Sequence, residues 1–312
     1  MHHLHHPELI KADRRDRPGA LGHEMVGRVT RVAADVRTYE VGDLVALEPQ
    51  LAAGCGDCAE CQAGTAWFCP RPAPLPVWGF AERIVVRAAG AWRLPAGLDP
   101  TVAALMEPMA VSLHALRITA LCAERADDLT GVNVVVLGAG ATGLLAVAAA
   151  RHLGAHRVTC VARHDHQAEL AARMGARVIL RDGAADLEET LIAAEPHLVL
   201  ECVGGRADTL GLAIRVAAPH GEVSVVGLFD EPQLVDSRSA FRREIRLVFP
   251  VVYGVVRGVH DYEIAARVLQ DPSTPFADLI THRYPLEEIG QAYRTAGSKS
   301  AGAVRVIVTG TG

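Results

Sequence analysis

The stretch Val132–Gly154, VNVVVLGAGATGLLAVAAARHLG, constrains this chain most. Val134 to Gly138 form a nearly unbroken apolar run, the pattern of a buried parallel strand. Gly138, Gly140 and Gly143 then fit G-x-G-x-x-G, and an Ala/Leu-rich helix follows at once. Gly138 permits a tight turn, Gly140 lets a pyrophosphate approach the backbone, and Gly143 lets helix and strand pack closely. The helix N-terminus presents free N–H groups and a partial positive charge to phosphates. The competing readings are a core strand–helix unit with incidental glycines, or a membrane span, which needs ~20 apolar residues. Three glycines at the centre of the run, and Arg151 and His152 directly after it, speak against a span.

With 312 residues, half of them hydrophobic, the chain can bury a large core and is expected to form two domains. Its net charge of -5 and scattered arginines give no reason to expect nucleic acid. After Val132 the runs VVVLG, RVTCVA, ARVIL, LVLECV and EVSVVGL alternate with helical stretches, which predicts a doubly wound parallel sheet. Before it, short β-rich runs from Leu21 onward and again over Trp78–Val86 predict a small barrel-like β-domain. Pro100 starts a helical turn, Glu107-Pro108 enters a longer helix, HDYEIAARVLQ reads as an amphipathic helix, and AVRVIVTG as a closing strand. The N-terminal segment has no apolar core of a signal peptide, so a cytoplasmic protein without a membrane span is the expectation.

Four of the seven cysteines, Cys55, Cys58, Cys61 and Cys69, are spaced C-x2-C-x2-C-x7-C. Four thiolates this close can close a tetrahedron around Zn²⁺ with no open position, which is a structural rather than a catalytic site. An iron–sulfur cluster takes the same four ligands, and a disulfide framework is the weaker reading. Cys122, Cys160 and Cys202 fall in or beside apolar segments and read as small buried hydrophobes. His23 and Glu24 are adjacent, so only a strand bend brings both to one ion; otherwise they are ordinary surface groups. Glu107 lies in apolar company, where a carboxylate must be paired, protonated or metal-bound, although its helix-initial position also suits a negative charge.

The motifs GHE (Gly22 to Glu24), GDLV, the four-cysteine lobe, GFAE, MEPMAV and LGAGATG (Leu137 to Gly143) occur in one order. Together with ECVGG, GEVSVVGL and YPLEEIGQAYRTAGSKSAGAVRVIV, they resemble the zinc-dependent medium-chain dehydrogenase/reductases nearly end to end. Glu107-Pro108 is similar to the polyol and threonine dehydrogenase branch, since it stands where other alcohol dehydrogenases carry a cysteine ligand. The resemblance implies an α/β architecture: a GroES-like β-rich catalytic domain over residues 1–112 with its structural zinc lobe at 54–70, a Rossmann dinucleotide-binding domain over 113–253, and a segment 254–312 returning to the catalytic domain. It implies hydride transfer between a secondary alcohol (a polyol, aminocyclitol or hydroxy-amino acid) and a ketone, with Zn²⁺ as Lewis acid.

Carried over residue by residue, the resemblance assigns His23, Glu24 and Glu107 to the catalytic zinc. It assigns Gly138, Ala139, Gly140, Ala141, Thr142, Gly143 and Gly227 to the cofactor. The family's cysteine ligand stands roughly two dozen residues before GHE, which counts to a point upstream of Met1; the sequence therefore reads as truncated at its N-terminus, with His2, His3, His5 and His6 as substitute donors. NAD-preferring members end the second Rossmann strand with an acidic residue. Here Ala162 holds that place and Arg163 and His164 follow, which favours NADP(H) over NAD(H) because a guanidinium pairs with a 2′-phosphate. Asp165 reaching the ribose from a shifted turn would restore NAD. A homo-dimer or homo-tetramer is expected, with Gly221–Leu228 as the sheet edge for pairing. The other readings are a non-catalytic dinucleotide-binding relative that has lost the reactive zinc, and a zinc-independent quinone or enone reductase.

Overall fold

The computed structural model describes residues 22–73 and 79–310, which group into two compact units. The N-terminal histidines and Trp78 lie outside the described residues. One unit holds the described residues up to Glu107 together with Arg257–Gln270 and Phe276 onward; the other holds Pro108–Val256 and Asp271–Pro275.

In the first unit, β1 (Met25–Arg28), β2 (Leu44–Leu47) and β3 (Ala91–Arg93) form an antiparallel sheet in that order. Met25 faces Leu47, and Leu47 in turn faces Ala91. The inward side chains Met25, Val45 and Leu47 pack with Ala52 into a small core that Ile84 and Val86 partly cover. The expected strand over Trp78–Val86 is not formed among its described residues, 79–86. Ile84 and Val86 pack, partly buried, on the sheet core without joining the ladder, while Val85 between them is exposed, so the apolar residues there mark one-sided packing rather than strand pairing. From the C-terminal part of the chain come the helix Asp261–Leu269 and two parallel strands, Ile280–Pro285 and Arg305–Thr309. Tyr262, fully buried on that helix, donates its hydroxyl to the Leu47 carbonyl at 3.0 Å.

Asp99 caps the turn Pro100–Ala103 by accepting from the N–H groups of Thr101 and Val102, and Pro100 supplies the preset φ of the first helical position. Those bonds, the Thr101 N–H first, hold the Asp99 carboxyl below the usual range. The capping contribution is therefore present above the unfolded pKa and is lost as pH falls through the depressed folded one. Asp99→Ala should cost about 1 kcal/mol at pH 7 and markedly less at pH 2–3, checked by denaturant titration at both.

The second unit is built on six parallel strands: β4 (Asn133–Leu137), β5 (Arg157–Ala162), β6 (Val178–Arg181), β7 (Leu198–Glu201), β8 (Glu222–Val225) and β9 (Arg246–Val248). Their order is β6-β5-β4-β7-β8-β9, so the chain reverses its direction of progress between β4 and β7, where doubly wound sheets bind their ligands. β7 and β8 are buried at every residue, and β4 and β5 at all but the first, as a sheet covered on both faces requires. The run that could have been read as a membrane span folds as strand, turn and the twelve-residue helix Ala141–His152. Among the described residues no helix is long and apolar enough to cross a membrane. The expected edge at Gly221–Leu228 is corrected: β8 pairs with β7 on one side and β9 on the other. β9 has only three residues, two positions after a left-handed Glu244, too few to show a period in sequence.

Candidate active site

At the crest of the sheet the three glycines differ in what demands them. Gly138 takes φ +99, and a Cβ there would meet the Val203 side chain at 2.7 Å. A Cβ on Gly143 would come within 1.8 Å of the Gly138 carbonyl oxygen, so only glycine lets the helix sit on the strand. Gly140 has an ordinary extended backbone, φ -75 and ψ -177, and its Cβ would meet nothing within 4 Å. It caps Ala141–His152 with no side-chain hydrogen bond, so no side chain occupies the first-turn N–H groups from the cap. Ala139 is buried, and the Thr142 carbonyl lies 3.3 Å from Ser112 Oγ. This cradle, open where a phosphate would approach and closed elsewhere, fits a dinucleotide pyrophosphate.

A neighbouring residue escaped the sequence reading. Glu201 ends β7 fully buried, and its Oε1 accepts from the N–H groups of Val203 at 2.8 Å and Gly204 at 3.0 Å and from the Thr209 hydroxyl at 2.7 Å. It therefore folds the loop beside Gly138. Gly227 packs against it: a Cβ would meet Glu201 Oε2 at 2.3 Å and Gly204 N at 2.4 Å, so close packing alone requires glycine there. The lone acid in the apolar run LVLECV was the available signal. Cys122 and Cys160 are fully buried, whereas Cys202 is half-buried on this loop.

Ala162 is the last residue of β5 and fully buried. Arg163 and His164 follow it, with His164 capping the helix Asp165–Arg173. Asp165, the next carboxylate along the chain, is turned onto Arg181.

Two donor clusters lie in the first unit, and each has its ligand atoms within 4.8 Å of one another. In the lobe, Cys55 and Cys61 Sγ are 4.0 Å apart and Cys58 and Cys69 Sγ 3.8 Å. A tetrahedron with Zn–S bonds of ~2.3 Å has edges of ~3.8 Å, so the four sulfurs fit one zinc ion and leave no room for a cluster of several irons. No disulfide joins these cysteines. Burial pushes the Cys61 thiol up to about 12, while the Cys55 N–H draws Cys69 down to about 7. Four adjacent thiolates repel, and a cation removes that conflict.

In the second cluster, His23 and Glu24 lead into β1, and Glu107 lies in the first turn of the helix Met106–Arg117. Gly79 donates its N–H to the Gly22 carbonyl at 3.0 Å, and a Cβ on Gly79 would strike that oxygen at 2.4 Å, which ties GFAE to GHE. His23 Nε2 stands 3.9 Å from Glu107 Oε1. Glu24 is held by Arg305, Nη2 to Oε2 at 2.7 Å, a partner from the closing strand that the sequence reading missed. Glu107 is buried beneath the exposed His23, and its carboxyl is pushed well up, first by burial and then by Glu24, with Arg305 opposing. One imidazole and two crowded carboxylates form a donor set suited to a divalent cation with positions left for a substrate.

Comparison with known proteins identifies the family. The family model for the alcohol dehydrogenase GroES-like domain matches residues 3–96, and that for the glucose dehydrogenase C-terminus matches 100–309. L-threonine 3-dehydrogenase of Saccharopolyspora erythraea is 31% identical over 293 residues, 92% of this chain and 81% of the relative. A zinc-binding dehydrogenase from Sinorhizobium meliloti, solved bound to NADP, superposes with a TM-score of 0.80 at 28% identity, covering 97% of this chain and 87% of that one. Galactitol-1-phosphate dehydrogenase of Escherichia coli gives 0.80 at 28%, covering 95% and 86%. The chain belongs to the zinc-type medium-chain dehydrogenases, which join a GroES-like domain to a parallel-sheet Rossmann domain. It is an oxidoreductase of the alcohol–ketone class, and its similarities run to threonine and sugar-alcohol dehydrogenases.

Proposed function

We propose that this chain oxidises a secondary alcohol of the polyol, aminocyclitol or hydroxy-amino-acid type, or reduces the matching ketone, using NADP(H). Residues 1–112 and 254–312 form its catalytic domain, and residues 113–253 its cofactor domain. The observation that carries the reading is the convergence of His23, Glu24 and Glu107 within 4.8 Å. They hold a Zn²⁺ ion, and Cys55, Cys58, Cys61 and Cys69 hold a second, structural one. When bound, the first ion supplies Lewis-acid polarisation of a substrate oxygen.

The chain's own groups do the rest. Arg305 holds the Glu24 carboxylate through its guanidinium and so fixes where that group is aimed. Burial, and then Glu24, push the Glu107 carboxyl well up, so a cation held there would compete with its proton. Gly140 and the N–H groups of Ala141 and Thr142 receive the pyrophosphate, and Arg163 with His164 receives the 2′-phosphate. Ala162 contributes by lacking the carboxylate that would repel it. Homo-dimers or tetramers pair through β9, one of the two outer strands of the sheet, near which Phe241 and Phe249 are exposed.

Elemental analysis of the purified chain, beside NADPH and NADH titrations, tests the reading. Two zinc ions per chain are expected, with Cys58→Ser removing one and His23→Ala the other. A single zinc that His23→Ala leaves in place favours the non-catalytic dinucleotide-binding reading.

A further inference from the structure

We propose that Arg181 is a second specificity-determining guanidinium, closing a clamp with Arg163 around the 2′-phosphate of NADP(H). The proposal rests on the NADP(H) reading above and assigns a residue from a different strand. Parallel pairing sets Ala162 of β5 opposite Arg181 of β6, and the Asp182 N–H donates to the Ala162 carbonyl at 3.0 Å. Both strands therefore leave the sheet side by side, one as Arg163-His164-Asp165 and the other as Arg181-Asp182.

Their charges cross between the strands. Arg163 Nε lies 3.4 Å from Asp182 Oδ2, and Arg181 Nη2 contacts Asp165 Oδ1. The four side chains are 48–87% exposed, so each pair is held weakly in water and exchanges readily. A phosphate near dianionic charge competes well for both guanidinium groups, because three oxygens match planar N–H forks that a single carboxylate only partly fills. In this arrangement the Asp165 carboxylate faces Arg181, and a ribose hydroxyl would have to draw it away from that guanidinium. With NADP(H) the exchange closes: phosphate takes Arg181, and Asp165 turns to solvent. The His164 ring, next along the chain from Arg163, is stacked on His166 at 5.5 Å and 10°.

The test is fluorescence titration of NADPH and NADH against the full chain and its Arg163→Gln, Arg181→Gln, Arg181→Lys and Asp165→Ala variants. Arg181→Gln is expected to weaken NADPH by at least about tenfold, the scale of one charge-assisted contact, with NADH within twofold. Arg181→Lys should recover part of the loss, and Asp165→Ala should tighten NADPH. If Arg163→Gln loses NADPH selectivity while Arg181→Gln keeps it, the clamp is wrong and the NADP(H) reading stands. Equal weakening of both cofactors by Arg181→Gln gives Arg181 a merely structural role and overturns the proposal. A parent chain that prefers NADH overturns the reading and the clamp together.

Discussion

Glu107→Gln is expected to abolish turnover and, in the same molecule, to stabilise the metal-free protein. The first effect follows from losing an anionic donor from the His23–Glu24–Glu107 cluster. Lewis-acid stabilisation worth several kcal/mol corresponds to a fall in kcat/KM of ~10³-fold or more. The second follows from burial. The folded chain raises the Glu107 pKa well above its usual 4.5, so it binds a proton that the unfolded chain gives up. Stability from that proton is complete below the unfolded pKa and is lost as pH rises through the folded one. Glutamine fills the same space and cannot ionise. After chelation at pH 8 the variant should therefore melt roughly 2–5 °C above the parent, with little difference near pH 4.5. Turnover within tenfold of the parent, or equal melting at pH 8, would remove Glu107 from the cation site.

Gly143→Ala and Gly140→Ala, three residues apart in one motif, should fail in opposite ways. At Gly143 the added Cβ would overlap the Gly138 carbonyl oxygen at 1.8 Å, and both partners are fixed by buried strand and helix. Neither can retreat without opening the core, so a loss above about 4 kcal/mol is expected, read as insolubility or a collapsed melting temperature. At Gly140 the Cβ enters empty space on a backbone that alanine adopts freely. That variant should melt within about 2 °C of the parent and lose at least tenfold in NADPH affinity, because the methyl occupies the phosphate's approach. A Gly140→Ala chain that binds NADPH normally would mean the pyrophosphate lies elsewhere.

Short-range chemistry is legible. C-x2-C-x2-C-x7-C encodes its own geometry because the four ligands lie on one tight loop, and the structure sets their sulfurs at zinc spacing. The strand–glycine–helix turn is equally local, and the apolar runs β4, β5, β7 and β8 announce a sheet covered on both faces. Motif order was enough to name the family.

Partners that meet only through folding are not legible. Arg305 reaches Glu24 from the closing strand, 281 positions along the chain, and no local pattern ties those positions together. Arg181 stands opposite Ala162 only through strand register. β9 takes the sheet edge with three residues, below the length at which periodicity carries information. Over 79–86 the sequence showed apolar residues but not whether they would pair or merely pack. Sequence by itself determined the residue types, the metal lobe and the dinucleotide turn, because each acts over a few bonds. Which charge neutralises which carboxylate was decided by tertiary structure alone, since Coulomb interactions depend on distance in space and not along the chain.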